Sequence, residues 1–372
     1  ERDTGLPVFD QRRRLAQPSA LLGEMPASYQ PDPQLPEPFA DVAFGPAEVT
    51  DIGDANRASV EWQIANATWG WFATAEVGRP LVMFGLHGGA EWPGAAMDHD
   101  TGWLYVPINR IPWKIRLYML AREDGLPPSS ASDLYLERCA RCHGASREGN
   151  YEEQGEQDVA FAPSLVGLPQ LPGLEHTYDL DWFRSRHRDA PGLRVTQAEL
   201  DELARVFSAF DDELVAREAT RFTATTSQLV DHEGYPGGKP PWGEIVALHL
   251  PTGRIGWRVP FGEYPELTAR GVPRTGQPNY GGVVATAGGL VFATGTVDGR
   301  LRAFDSATGE ELWSYRLAAA GSAPPLSYAV DGRQYFAVVA AGGRFRSFDE
   351  RSSKIYAFAL PTSVDSAAAP AR

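Results

Sequence analysis

Ala303-Phe304-Asp305-Ser306-Ala307-Thr308-Gly309-Glu310-Glu311-Leu312-Trp313 and Ala247-Leu248-His249-Leu250-Pro251-Thr252-Gly253-Arg254-Ile255-Gly256-Trp257 are two copies of one pattern. Their glycines, Gly253 and Gly309, are 56 residues apart. Ala96-Met97-Asp98-His99-Asp100-Thr101-Gly102-Trp103 is a third copy, and Asp3-Thr4-Gly5 is the remnant of a fourth. Each reads as strand, Thr-Gly turn, strand: glycine accepts the left-handed backbone that a tight turn requires, and the tryptophan that follows packs between sheets. A period of about 50 residues built from short strands and ending in Trp is the pattern of a β-propeller blade. The expected fold is mainly β.

Composition narrows the alternatives. At 43% hydrophobic and 11% aromatic, 372 residues can bury two or three cores, which excludes a disordered chain. The 38 Gly and 30 Pro are too many for a helical bundle. With 34 basic against 48 acidic residues the net charge is −14, which repels phosphate backbones and excludes nucleic acid as a partner. No apolar run approaches the roughly 20 residues of a membrane helix, and Glu1-Arg2-Asp3-Thr4-Gly5 has no signal-peptide pattern. Because the chain opens on a hairpin turn, it is expected to begin inside a repeat unit, as a fragment or processed product would.

Residues 10–80 fit the period poorly. Arg12-Arg13-Arg14 reads as a solvated face, and the proline-rich stretch from Gln30 to Pro46 reads as a long surface connection. The repeat breaks again over 129–217, where the pattern turns helical. Ser132 and Asp133 can cap a helix entering Tyr135-Leu136-Glu137-Arg138-Cys139, and Thr196-Gln197-Ala198-Glu199 is a capping box ahead of Leu200, Leu203, Ala204 and Phe207 at helical spacing. The expected division is propeller blades over 1–128, a small all-α domain over 129–217, blades again over 218–363, and a disordered tail over 364–372.

The chemistry is carried by Cys139-Ala140-Arg141-Cys142-His143, which holds the only two cysteines of the chain. Thiols at this spacing on a helical turn reach both vinyl groups of a haem, and the adjacent imidazole lies under the iron as proximal ligand. A redox dithiol or half of a zinc site would use the same pair, but zinc needs two further ligands and the surroundings are not thioredoxin-like. Gly144 and Ala162-Pro163-Ser164-Leu165 resemble the class I cytochrome c pattern, which implies that the Pro163 carbonyl accepts the ring N–H of His143. All four methionines, Met25, Met83, Met97 and Met119, precede the motif, so none stands near Ala190, where that family places its sixth ligand. His187 is the leading substitute, with His176 or an open, water-bound position as alternatives; its plain reading is an exposed residue of an Arg-rich loop. Haem attached covalently places the chain in the periplasm.

Further segments carry a second resemblance: Gly88-Gly89-Ala90-Glu91-Trp92-Pro93-Gly94, Gln277-Pro278-Asn279-Tyr280-Gly281-Gly282, Ala285-Thr286-Ala287-Gly288-Gly289, Asp298-Gly299-Arg300-Leu301-Arg302, Asp331-Gly332-Arg333 and Ala340-Ala341-Gly342-Gly343. Together they resemble the C-terminal half of pyrroloquinoline quinone (PQQ) dehydrogenases of the quinoprotein glucose dehydrogenase type, some of which carry an inserted cytochrome c. The resemblance implies an eight-bladed propeller, of which about half is present, with PQQ and calcium on its axis. It also implies a carboxylate base that takes the proton of a sugar or alcohol hydroxyl while hydride passes to the quinone. Electrons then go through haem c to an external quinone or cytochrome. The base and the calcium ligands match blades that precede residue 1, so missing N-terminal blades or a second polypeptide are expected to supply them.

The same resemblance makes Asp298 the support of a basic residue beside the quinone, although an Asp-Gly turn explains it equally. Tyr280 stands near the cofactor plane, and Gly342 and Gly343 belong to a loop closing over it. Arg344 departs from the Gly, His or Trp usual there, and Leu86-His87 stands where polar residues bond the quinone, which leaves His87 as the candidate. Trp103, Trp257 and Trp313 read as blade packing and His99 and His249 as structural. The competing reading is a degenerate propeller, acting as a ligand-binding module or as a scaffold that keeps only electron transfer.

Overall fold

All four Thr-Gly turns close in the same way. The amides of Gly5, Gly102, Gly253 and Gly309 donate to the carbonyls of Glu1, Asp98, His249 and Asp305 at 2.8–2.9 Å. Their φ angles of 69°, 74°, 67° and 76° lie where only glycine is unstrained. In each turn the threonine hydroxyl lies 2.6–3.0 Å from the side chain of that same first residue, so Glu1 and His249 take the part played by aspartate in the other two. The remnant at residues 1–5 is a full copy of the turn.

The computed structural model describes residues 1–19, 21, 24–77, 79–86, 89–90, 92–121, 133–144, 147, 150–151, 160–162, 165, 180–187, 193–216, 220–342 and 352–360. Its first part runs β1 (Gln11–Leu15), β2 (Tyr29–Pro33), α1 (Asp54–Ile64), β3 (Thr68–Trp69), β4 (Leu81–Phe84), β5 (Ala96–Asp98), β6 (Trp103–Asn109) and β7 (Pro112–Ala121). A helical stretch follows, with α2 (Asp133–Arg138), α3 (Ala140–His143), the short pair β8 (Asn150–Tyr151) and β9 (Ala160–Ala162), α4 (Leu180–Arg186) and α5 (Gln197–Ala216). The chain then returns to strands: β10 (Thr220–Gln228), β11 (Gly243–His249), β12 (Arg254–Pro260), a short α6 (Pro265–Ala269), β13 (Val283–Thr286), β14 (Leu290–Ala293), β15 (Arg300–Asp305), β16 (Glu311–Arg316), β17 (Leu326–Val330), β18 (Arg333–Ala340) and β19 (Lys354–Phe358).

Three sheets stack as successive blades: β5-β6-β11-β12, β13-β14-β15-β16 and β17-β18-β19, each antiparallel throughout. Their first strands lie side by side, β13 touching β5 and β17, which makes these edges the inner side of the stack. Between the first two sheets Tyr105, Ile245, Ala247, Phe261, Val291, Ala293 and Phe304 form one core; between the second and third, Leu301, Leu317, Phe336, Val338 and Ala340 form another. Trp257 fastens the first interface as expected. Its Nε1 donates to the Ser306 carbonyl in the next sheet's turn at 3.0 Å, and a Cβ on Gly309 would stand 2.6 Å from its ring. Phe9, four residues after Gly5 as Trp257 is after Gly253, packs likewise on Gly253. Trp313 occupies the matching position in the second sheet but is 40% exposed, with an edge contact to Phe358, so it is only partly blade core.

Two expectations are corrected. The third repeat copy does not head a sheet of its own: its turn joins β5 to β6, while the copy at 247–257 joins β11 to β12 of the same sheet. Residues 110–242 separate the second and third strands of that sheet, which is why one blade carries two copies. The proline-rich stretch from Gln30 to Pro46, expected to be a surface connection, contributes Phe39, Ala40 and Phe44 to cores, and the irregular region 10–80 around it contains helix α1. Phe44, Val49, Val60, Ile64 and Ala67 pack against Val82, Phe84 and Leu229. Gly53 precedes α1 without a side-chain cap and Trp62 points to solvent, so neither a start signal nor a clean apolar face marks this helix in the sequence.

The excursion from the first blade leaves and returns through a two-stranded stem. β7 and β10 pair from Trp113↔Gln228 to Ala121↔Thr220, with β4 and the parallel β3 beside them. The helical segment therefore departs and comes back at one point, the geometry of a domain inserted in a loop. Within it the capping box forms as read: the Thr196 amide donates to Glu199 Oε2 at 2.7 Å and the Glu199 amide to Thr196 Oγ1 at 3.3 Å. Among the described residues no helix is long and apolar enough to cross a membrane.

Candidate functional site

The site residues fall into two groups, one in the helical segment and one at the inner edges of the blades. Cys139 sits between α2 and α3, and helical hydrogen bonds run through it from Cys139 N to Tyr135 O and from His143 N to Cys139 O. This turn places both thiols and the imidazole within one helical revolution. Cys139 and His143 are buried, Cys142 is half-buried, and neither cysteine is in a disulfide. Tyr135, Leu203 and Phe207 wall the cluster together with Leu134, Ala140, Leu165 and Val206. Tyr135 also ties the motif's end by donating to the Gly144 carbonyl at 2.6 Å. Beside this wall lies a buried pair that sequence reasoning missed: Arg147 binds Asp211 at 2.6 Å and covers the Phe207 ring.

Burial, and then the neighbouring Cys142, push the Cys139 thiol up to about 11. A redox dithiol works through a thiolate of depressed pKa, so this position is wrong for exchange chemistry and suits a side chain held in an apolar wall. Among the described residues no cluster of three or more His, Cys, Asp or Glu could hold a metal ion. The arrangement fits haem: two thiols and a buried imidazole on one turn, facing apolar side chains. His187 directly follows α4 and lies near His143, with ring centroids 6.2 Å apart and planes inclined at 63°. Pro163 and His176 lie outside the described residues.

At the blades' inner edges two loops are knitted together. The Tyr280 amide donates to Gly295 O at 3.0 Å, the Asp298 amide to Gln277 Oε1 at 2.8 Å, and Asn279 bridges to Thr296. Tyr280 and Asp298 thus belong to one structural knot. Close approach is possible because Gly281 and Gly295 carry no side chain: a Cβ on Gly281 would stand 1.9 Å from the Thr294 carbonyl. Gly342 joins from the third sheet by donating to Ala320 O at 2.9 Å, next to Gly321, whose Cβ would press on Thr294 Oγ1. Buried Thr294 Oγ1 and Asn279 Oδ1 have no hydrogen-bond partner, an uncommon state for buried polar atoms that a polar ligand at this edge would relieve. His87, Gly343 and Arg344 lie outside the described residues.

Asp298 is fully engaged. Both its oxygens take the fork of Arg302, and Oδ1 also accepts from Thr296 Oγ1 at 2.6 Å. Burial would raise its pKa, but the Arg302 charge and hydrogen bonds, the Thr296 hydroxyl and the Arg300 amide outweigh that and hold it below the ordinary carboxylate value. It therefore serves as the counter-charge of Arg302, which is 1% exposed, rather than as a free proton acceptor. Arg302 in turn meets Glu311, which binds Arg274 at 2.6 Å. Arg302 was missed from sequence; the signal available was an arginine between the apolar Leu301 and Ala303 of the strand, four residues from an Asp-Gly turn.

Stacked antiparallel sheets with their first strands side by side at one inner edge define a protein of the β-propeller class. The chain belongs to the PQQ family described as glucose/ethanol/alcohol dehydrogenase, β-propeller domain, whose match covers residues 1–137 and 135–336. It is 38% identical over 154 residues to a probable quinate dehydrogenase (quinone) of Xanthomonas campestris pv. juglandis, covering 40% of this chain and 19% of that one. It is 35% identical over 149 residues to the quinoprotein glucose dehydrogenase of Escherichia coli (strain K12), covering 38% and 18%. Over 66 residues it is 52% identical to lupanine 17-hydroxylase [cytochrome c] of a Pseudomonas species, 18% of this chain and 9% of that one. The matches thus span about a fifth or less of these relatives' lengths.

Proposed function

We propose that this chain is the haem-bearing part of a PQQ-dependent dehydrogenase that oxidises a sugar, alcohol or related polyol in the periplasm and passes the electrons through covalently bound haem c to an external quinone or cytochrome. The observation that carries the reading is the Cys139, Cys142 and His143 turn set in an apolar helical pocket, inside a chain of the PQQ propeller family. PQQ, when bound, supplies the two-electron oxidant. The chain's own part at the inner edge is to present Tyr280, Asn279 and Thr294 toward the quinone and to hold Arg302 by Asp298. Calcium and the base belong, in this reading, to blades that complete the ring. In the helical segment Cys139 and Cys142 would anchor the haem and His143 would bind its iron.

Expression in a periplasm with active haem attachment tests this. The denatured chain should carry a haem-sized mass increment, lost in the Cys139→Ser/Cys142→Ser double variant. A denatured mass equal to the bare polypeptide would sink the haem assignment.

A further inference from the structure

We propose that His187 is the second axial ligand of the iron, making this a bis-histidine haem centre. The inference rests on the haem reading above and adds the ligand set to it. The rings of His143 and His187 lie with centroids 6.2 Å apart and planes inclined at 63°. Two imidazoles bound to one first-row metal, with nitrogen bonds of about 2.0–2.1 Å and half a ring on either side, put their centroids about 6 Å apart. The observed spacing is that of a ligand pair with room for one metal between the rings.

The tautomer is set for the same task. His187 Nδ1 lies 2.9 Å from the Phe183 carbonyl, one helical turn back. A carbonyl oxygen only accepts, so Nδ1 carries the proton and Nε2 keeps the lone pair that a metal needs. The same carbonyl accepts the His187 amide at 3.1 Å, which ties the residue to the end of α4. The Phe183 ring stacks on the imidazole at 4.0 Å and, being itself buried, holds the ring plane against rotation. A backbone carbonyl on the distal nitrogen is the usual second contact of a metal-binding histidine.

No methionine competes. Met25, Met83 and Met97 lie before the stem and Met119 lies in β7, all ahead of the helical segment. With imidazole in place of a thioether the reduction potential falls, because methionine ligation is what raises it in His/Met cytochromes.

The test uses the full haem-loaded chain. The oxidised protein should be low-spin, with no thioether-to-iron band in the red, and its ferrous form should bind carbon monoxide slowly, as a closed six-coordinate site does. His187→Ala should become high-spin, bind carbon monoxide faster by an order of magnitude or more, and return to low-spin on addition of imidazole. His187→Met should raise the potential and gain the red band. A low-spin spectrum unchanged in His187→Ala would overturn the assignment, as would rapid carbon monoxide binding by the unaltered protein. The denatured mass separates the two levels: absence of bound haem defeats the haem reading itself, whereas covalent haem with an unmoved spectrum defeats only His187.

Discussion

Asp298 and Arg302 show how one buried pair fixes the inner edge of a blade. Arg302 is almost fully buried, and Asp298 supplies the charge that makes this tolerable. Removing Asp298 leaves buried Arg302 with Glu311 as its carboxylate partner, so Asp298→Asn is expected to cost about 3 kcal/mol in chemical denaturation. The pH dependence follows from the sign of the shift. Asp298 titrates lower folded than unfolded, so its contribution is complete above the unfolded value near pH ~4 and is lost as pH falls through the folded value. The unaltered chain should therefore lose stability on acidification below about pH 4, and Asp298→Asn should show a shallower acid limb. An identical acid limb in both would remove the pair from the account. In sequence Asp298 was legible, through its Asp-Gly turn and the family resemblance. Arg302 was not, because a buried arginine looks like a solvated one until its partner is placed.

At the scale of the element, the Thr-Gly turn serves the blade that precedes it as much as its own. Gly309 offers a flat surface to Trp257, and Ser306 accepts hydrogen bonds from both Trp257 Nε1 and Tyr105 OH. Gly309→Ala should be destabilising on two grounds, the left-handed backbone at φ 76° and a Cβ pressed on the indole. Backbone strain alone costs about 1–2 kcal/mol. Trp257→Phe keeps the ring and loses the N–H, so about 1 kcal/mol is expected, against about 3 kcal/mol for Trp257→Ala. Equal costs for the two Trp257 variants in thermal denaturation would show that the hydrogen bond, not the packing, joins the sheets. The turns were legible because Thr and Gly recur at fixed positions relative to each other. Phe9 was not, since it fills the tryptophan's place with a different residue. Helix α1 was missed for a related reason: its buried residues Val60 and Ile64 are too few to raise a periodic signal, and the partners that bury them come from β4 and from Leu229, far along the chain. The Cys139-Ala140-Arg141-Cys142-His143 turn was readable as a proposed haem site because covalent attachment needs two thiols and an imidazole close in sequence. The His143 and His187 pair depends on tertiary folding, and the sequence could only rank His187 among alternatives.

Across the whole molecule, three stacked sheets bury two interfaces, and Val106, Ile108 and Val246 on the far side of the first sheet are covered by Phe39 and Ala40. The third sheet is different: Leu326, Tyr328 and Val330 on β17 and Ile355 on β19 carry apolar surface into solvent. In a propeller each sheet is covered by the next, so such faces mark where further blades would pack. At the described inner edge Asp298, the carboxylate knitted to the Tyr280 loop, is bound on both oxygens and held ionised by Arg302. Oxidation of a hydroxyl needs a base at that edge to take the proton while hydride leaves. The 372 residues supplied with PQQ and calcium are therefore expected to give dye reduction no faster than background with glucose, ethanol or quinate as substrate. Joined to blades that complete the ring, the same residues should turn over substrate, and the haem band should become reduced on substrate addition. Rapid turnover by the 372 residues alone would refute this division of labour. It would place the base on a carboxylate of this chain, and Asp298→Asn should then abolish activity while leaving the haem spectrum unchanged.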